Sequence, residues 1–206
     1  MAYKYDVFLS YYRSDENHAN WVDNTFYSLF KTFLSDALNK KVEVFKDTND
    51  ILSGQEWNMK IREGLIHSKI MIPIFSPGYF RSEWCKKELA VMDYRQISCG
   101  YMSAANPDGI VVPMRVRDGE FFPGSVTSRM QIRDFNDCFR VGIEINKPPI
   151  FYKFQDQLDS WVKDVAYAYN KAPDWNDDWK QDRWINDAWV NLNRFDTIKN
   201  NAAPTL

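Results

Sequence analysis

The chain is poor in the residues that most often hold metals or carry covalent catalysis. Its 206 residues include three cysteines, Cys85, Cys99 and Cys138, and two histidines, His18 and His67. Three widely spaced cysteines make no disulfide framework, and without CxxC, H-E-x-x-H or H-x-E there is no zinc signature. His18 follows Asp15-Glu16-Asn17 at a helix start and His67 ends another helical stretch, so solvated or capping roles are expected of both. No G-x-x-x-x-G-K-[ST], G-x-G-x-x-G or G-x-S-x-G occurs, which removes phosphate-cradling loops and the nucleophile elbow. No apolar run reaches the ~18–20 residues that span a bilayer, and the start carries no apolar leader-like segment. An unsecreted, cytoplasmic protein without membrane contact is expected. The charge is nearly balanced, with 26 Lys+Arg against 28 Asp+Glu, so the basic footprint of a general nucleic-acid binder is missing too. Any chemistry must then run on carboxylates and a bound substrate, with no metal.

What the chain has is aromatic surface. Aromatic residues make up 16% of it, with eight Trp, and hydrophobic residues reach 45%, a globular composition. Tyr5–Tyr11 reads as a short strand near the start. Ser14 and Asp15 offer N-caps for a helix with Val22, Phe26, Leu29, Phe33 and Leu38 on its apolar face. Val42–Phe45 is a second strand, followed by the polar loop Asp47–Gly54 and a short helix through Trp57, Ile61 and Leu65. Ile70–Phe75 is an unbroken apolar run, the pattern of a strand buried on both faces. Pro73 inside it removes one ladder donor, and Ser76-Pro77-Gly78 stops the run too early for a helix.

Ser82 caps a third helix that extends to about Ile97. Ile110–Val116 and Met130–Phe135 are further strands, and Pro148-Pro149 opens a helix with Phe151, Phe154, Leu158, Trp161, Val165 and Tyr169 on one face. Strands alternating with helices imply right-handed crossovers and an α/β, flavodoxin-like, doubly wound sheet of five parallel strands in the order 2-1-3-4-5. This domain is expected to fill residues 1–172. Residues 173–206 form a Trp-rich helical C-terminal extension with Trp175, Trp179, Trp184 and Trp189 among many aspartates. So much apolar surface is no linker. The indoles either pack against the domain or serve as an assembly or partner surface.

In such a sheet, ligands bind beyond the carboxyl ends of strands 1 and 3. That rule selects Ser10-Tyr11-Tyr12-Arg13, Phe75-Ser76-Pro77-Gly78 and the helix after them. Within Ser82–Leu89, Trp84 and Glu88 stand four apart and share a helix face. An indole can stack on a flat heteroaromatic, while a carboxylate accepts ribose hydroxyls or stabilises an oxocarbenium-like centre. An apolar neighbour is expected to raise the pKa of Glu88. The plainer alternatives are a solvated helix glutamate at Glu88 and a core indole at Trp84. Glu83 suits the helix dipole, Cys85 a small buried hydrophobe, and Arg13 either a surface charge or a phosphate contact.

Taken together, these segments resemble the Toll/interleukin-1 receptor (TIR) domain family. Tyr5–Tyr11 resembles its first box, and Phe45-Lys46-Asp47 through Leu52-Ser53-Gly54 its second strand and the loop after it. Phe75–Tyr79 followed by Ser82–Leu89 resembles the stretch with the W-C-x-x-E signature. The resemblance runs over roughly residues 3–170 with every element in order. It departs from the family pattern at Leu52-Ser53 before Gly54, at Tyr12, at Asn136–Pro149 and in the Trp-rich tail.

The resemblance implies an NAD+ nucleosidase that cleaves the nicotinamide–ribose bond, in the branch that includes bacterial anti-phage defence. Its products would be nicotinamide with ADP-ribose or a cyclic ADP-ribose isomer. It makes Glu88 the catalytic carboxylate and Trp84 a wall of the pocket. Ser10, Tyr11, Tyr12 and Arg13 would border the nucleotide, Ser76 would lie near the ribose, and Asp47 and Gly54 would frame the loop that orders as subunits pack. NAD+ would be substrate rather than cofactor. Implied partners are other TIR domains through self-association, with room for an activator or downstream effector protein. The family also implies a second class, a non-catalytic scaffold that signals by homotypic contact. A flavodoxin-like receiver without chemistry is a third reading, which Ser10-Tyr11-Tyr12 serves poorly because it supplies no carboxylate.

Overall fold

The computed structural model describes residues 3–46, 59–140 and 148–197. Five parallel strands form one sheet in the order β2-β1-β3-β4-β5, as the alternating pattern predicts. β1 is Tyr5–Tyr11, β2 Val44–Lys46, β3 Ser68–Phe75, β4 Met114–Arg115 and β5 Arg133–Asp134. From Ile70 to Phe75 every side chain of β3 is buried, because helices cover both faces of a parallel sheet. One cover contains α1 (Glu16–Trp21), α2 (Tyr27–Leu38) and α7 (Pro148–Lys171), with α2 packed on α7. The other contains α3 (Met59–His67), α4 (Pro77–Arg81) and α5 (Glu83–Ser98), with α3 and α5 against β1.

Several boundaries depart from the sequence pattern for identifiable reasons. The first helix is interrupted by a π-helical segment, Val22–Phe26. The wider turn rotates the following residues, so Phe30 and Leu34 are buried while Leu29 and Phe33 are only partly so. The fourth strand is much shorter than Ile110–Val116. Its register on β3 pairs Met71 with Val111 and Ile74 with Met114, which sets Pro113 opposite Pro73. Met71 donates to and accepts from this strand, but Pro73, two residues on, has no amide to continue the ladder, while Pro113 faces β5 through its carbonyl. Ser76-Pro77-Gly78 does more than end β3: Ser76 caps α4, with Pro77 as its first residue.

Neither histidine is solvated. His18 is 1% exposed, between the rings of Tyr11 and Phe139, and neither ring nitrogen has a hydrogen-bond partner among the described residues. Burial pulls its pKa down to about 4, with Asp15 raising it and Arg117 lowering it. His67 is also buried and stacks on Trp175, its Nε2 3.3 Å from Glu63.

The Trp-rich tail lies on the domain as a string of short elements: a 3₁₀ turn at Asp177–Lys180, α8 (Asp182–Trp189) and a second 3₁₀ turn at Leu192–Phe195. Its anchor is Arg95, whose guanidinium is wholly buried beneath the Trp179 ring at 4.1 Å. Arg95 donates to the carbonyls of Leu65, Ile66 and Ser68. The first two are among the carbonyls that a helix leaves unsatisfied at its C-terminus, where a cation is also favoured by the dipole. Burial lowers the Arg95 pKa to about 10, so the group stays charged at neutral pH.

Candidate active site

Side chains alternate along β1, so Ser10 and Tyr11 face opposite covers of the sheet. Ser10 points toward α5 and is 2% exposed. Its Oγ donates to Glu88 Oε2 at 2.6 Å and lies 2.9 Å from the Tyr79 hydroxyl. A serine hydroxyl has a single hydrogen, and here it goes to the carboxylate, so Tyr79 must donate to Ser10. Tyr79 is well suited to that role. It is fully buried, and burial, with Cys85 and Glu88 nearby, pushes its pKa well above 10.

Ser76 supports this chain from below. Its Oγ accepts from the Tyr79 amide at 3.3 Å, fixing the first turn of α4 and hence the direction of the phenol. Ser82 caps α5 in the same way through the Cys85 amide at 3.3 Å, and Glu88 follows one turn later. Two serine caps and one strand residue thus converge on one carboxylate. Cys85 is buried in this cluster, and burial, then the Glu88 charge, raises its thiol pKa, which leaves it a protonated, unreactive group.

The remaining sequence-predicted residues divide. Tyr12 is half-buried and its ring lies on Gly78, where an added Cβ would come within 2.3 Å of it. Glycine at 78 is therefore what lets the end of β1 approach α4 closely. Trp84 is half-buried, one turn before Glu88, with the Lys87 ammonium 4.7 Å from its ring centroid. Arg13 is half-buried at the end of β1. Tyr11 is not brought to Glu88: it is buried toward α1, and its hydroxyl donates to Asp23 at 3.0 Å. Asp47, Gly54 and Trp57 lie outside the described residues. Tyr79 is the group that reasoning from sequence missed. Its signal was its place in the first turn after a Ser-Pro cap, since a tyrosine buried there needs a partner for its hydroxyl.

The site therefore sits at the carboxyl ends of β1 and β3, where the strand order reverses. A cleft of about 420 Å³ opens elsewhere, toward the amino ends of β4 and β5, and its lining includes no member of the Glu88 cluster. Among the described residues no three His, Cys, Asp or Glu side chains come together as metal ligands. A carboxylate fixed by a hydroxyl chain at the sheet edge can accept hydrogen bonds from a ligand's hydroxyls and stabilise positive charge that develops beside it.

The pattern of the TIR domain family matches residues 7–140, well over half of the chain. The chain belongs to the TIR domain family. Solved TIR domains are among its structural neighbours. The TIR domain of the Toll-related receptor TRR-2 from Hydra magnipapillata is 22% identical, with 75% of this chain and 98% of that one covered at a TM-score of 0.42. The TIR domains of the activated Roq1 resistosome, which recognises the pathogen effector XopQ, are 19% identical, with 82% and 86% covered at a TM-score of 0.36. The family match ends at residue 140, before α7 and the Trp-rich tail.

Proposed function

We propose that this TIR domain cleaves NAD+ at the nicotinamide–ribose bond, with Glu88 as the catalytic carboxylate. The observation that carries the reading is the Tyr79–Ser10–Glu88 chain, which holds a buried carboxylate at the ligand-binding edge of the sheet. In the reaction the C–N bond breaks and nicotinamide departs with the bonding pair. Positive charge develops on the ribose C1′ and its ring oxygen. Glu88 stabilises that charge, a contribution realised in the transition state rather than in the bound substrate. Water then adds at C1′ and releases a proton, giving ADP-ribose; capture by a nucleophile within the same molecule gives a cyclic isomer. Trp84 offers a flat wall for the nucleotide, and Ser10 keeps Glu88 in one rotamer. Self-association through TIR contacts belongs to this reading, with NAD+ as substrate and no added cofactor.

The test is nicotinamide release by the purified chain at a concentration where light scattering shows assembly, with products resolved by chromatography and mass. Glu88→Gln keeps the shape of the side chain and removes its charge. It is expected to lower release by roughly 10²-fold or more while assembly persists. An assembled natural chain that releases no nicotinamide would overturn the reading in favour of a non-catalytic scaffold.

A further inference from the structure

A surface helix keeps one face in water, yet α5 does not. Six consecutive residues, Glu88 to Asp93, are all buried. Since six residues exceed a full turn of 3.6, the helix is enclosed on every side there. The sheet and Ser10 cover one side. α3 and α4 also pack on α5, and the Trp-rich tail grips it along two flanks. On one flank the Trp184 ring meets Tyr94 at 5.1 Å, and Trp189 Nε1 donates to the Lys87 carbonyl at 3.4 Å. On the other, Arg194 donates to the buried Asp93 at 2.8 Å, and Lys86 pairs with Asp196.

The tail is held independently at its start. The Tyr3 hydroxyl donates to the Pro173 carbonyl at 2.9 Å, and Arg62 pairs with Asp182 at 2.6 Å. The segment is thus tied to the domain before it reaches α5 as well as along α5 itself.

One contact links this grip to the candidate site. The Lys87 ammonium lies 4.7 Å from the ring centroid of Trp84 and 5.2 Å from that of Trp189. A single cation joins the indole one turn from Glu88 to an indole of the tail. We propose that residues 173–197 act as a clasp on α5, and that Trp189, through Lys87, is a positioning residue for Trp84 in the pocket wall. All three groups are half-buried, and Lys87 also pairs with Glu83 at 2.9 Å; a cation–π contact so placed contributes about 0.5–1 kcal/mol, enough to bias the orientation of an indole. The effect on turnover rests on the NAD+ reading above; the effect on α5 does not.

The test is hydrogen exchange of the full chain, natural and Trp189→Ala, followed by NAD+ kinetics on the same samples. Amides of 83–90 are expected to exchange roughly two- to fivefold faster in Trp189→Ala, while those of β1 and β3 keep their rates. The KM for NAD+ rises with kcat less affected, and Trp189→Phe restores both, because a phenyl ring still accepts the Lys87 cation. Should Trp189→Ala fail to fold, Lys87→Met removes the ammonium, keeps the apolar stem and is expected to give the same pattern. Unchanged exchange at 83–90, or acceleration shared equally by β1 and β3, overturns the clasp. Faster exchange with an unchanged KM overturns the link to Trp84. If the natural chain releases no nicotinamide, the NAD+ reading falls while the exchange result still decides the clasp.

Discussion

Helix α5 carries two buried carboxylates five residues apart, and they are treated in opposite ways. Asp93 is fully buried on the side toward the tail. It accepts from Arg194 at 2.8 Å, from Arg129 at 3.4 Å and from Gln96 at 2.8 Å. Glu88, on the side toward the sheet, accepts the Ser10 hydroxyl at the end of a chain from Tyr79. The first is an ion cluster that ties three parts of the chain together. Its partners come from α5, from the turn after α6 (Gly124–Thr127) and from the tail. The second is oriented by hydroxyls at the edge where ligands bind. In the reading proposed above one carboxylate serves the fold and the other the site, and burial alone does not tell them apart. The identity of the partners does.

That contrast can be broken by substitution. Asp93→Asn leaves two arginines, each about a third exposed, beside a buried neutral amide, which is expected to cost about 3 kcal/mol of stability, the low end for a broken buried pair. The loss is to be read from urea unfolding, with the slope of the transition unchanged.

The second effect concerns His18, packed on the far side of the sheet from both carboxylates. Its pKa is about 4 in the folded chain against ~6.5 unfolded. The unfolded chain therefore takes up the proton first as pH falls. The contribution of His18 is intact above about 6.5, declines through the window down to about 4 and is then fully lost, amounting to about 3 kcal/mol. Unfolding free energies at several pH values across that window should fall less steeply for His18→Leu than for the natural chain. Identical slopes would show that His18 does not report its burial.

A smaller effect is expected from Tyr79→Phe, which removes one buried hydroxyl and leaves Ser10 without its donor. A stability loss of about 1–2 kcal/mol is expected. Nicotinamide release should fall by roughly tenfold, because Ser10 then holds Glu88 less firmly. A loss of stability with no change in turnover would move Tyr79 from the site to the core.

Much of this was legible in the chain. The apolar run Ile70–Phe75 and the cap at Ser82 mark β3 and α5 directly, and the spacing of Trp84 and Glu88 puts them one turn apart. The 2-1-3-4-5 order follows from alternation of strands and helices. What was not legible depends on partners distant in sequence. Pro73 looks tolerable in a strand until β4 is set beside it, where its missing donor falls in the shared ladder. The π turn at Val22–Phe26 has no local signature and displaces the buried face by one residue. His18 looked polar because Asp15 and Glu16 surround it in sequence, whereas Tyr11 and Phe139 surround it in space. The same holds for Asp93, which reads as an ordinary helix acid until Arg194, 101 residues later, is brought to it.

The most direct test measures nicotinamide release and urea unfolding side by side for Glu88→Gln and Asp93→Asn. Glu88→Gln is expected to be without appreciable turnover yet within about 1 kcal/mol of the natural stability. Asp93→Asn is expected to lose about 3 kcal/mol yet to release nicotinamide at a near-natural rate per folded molecule. Equal losses of both properties in both variants would contradict the division of labour between the two carboxylates.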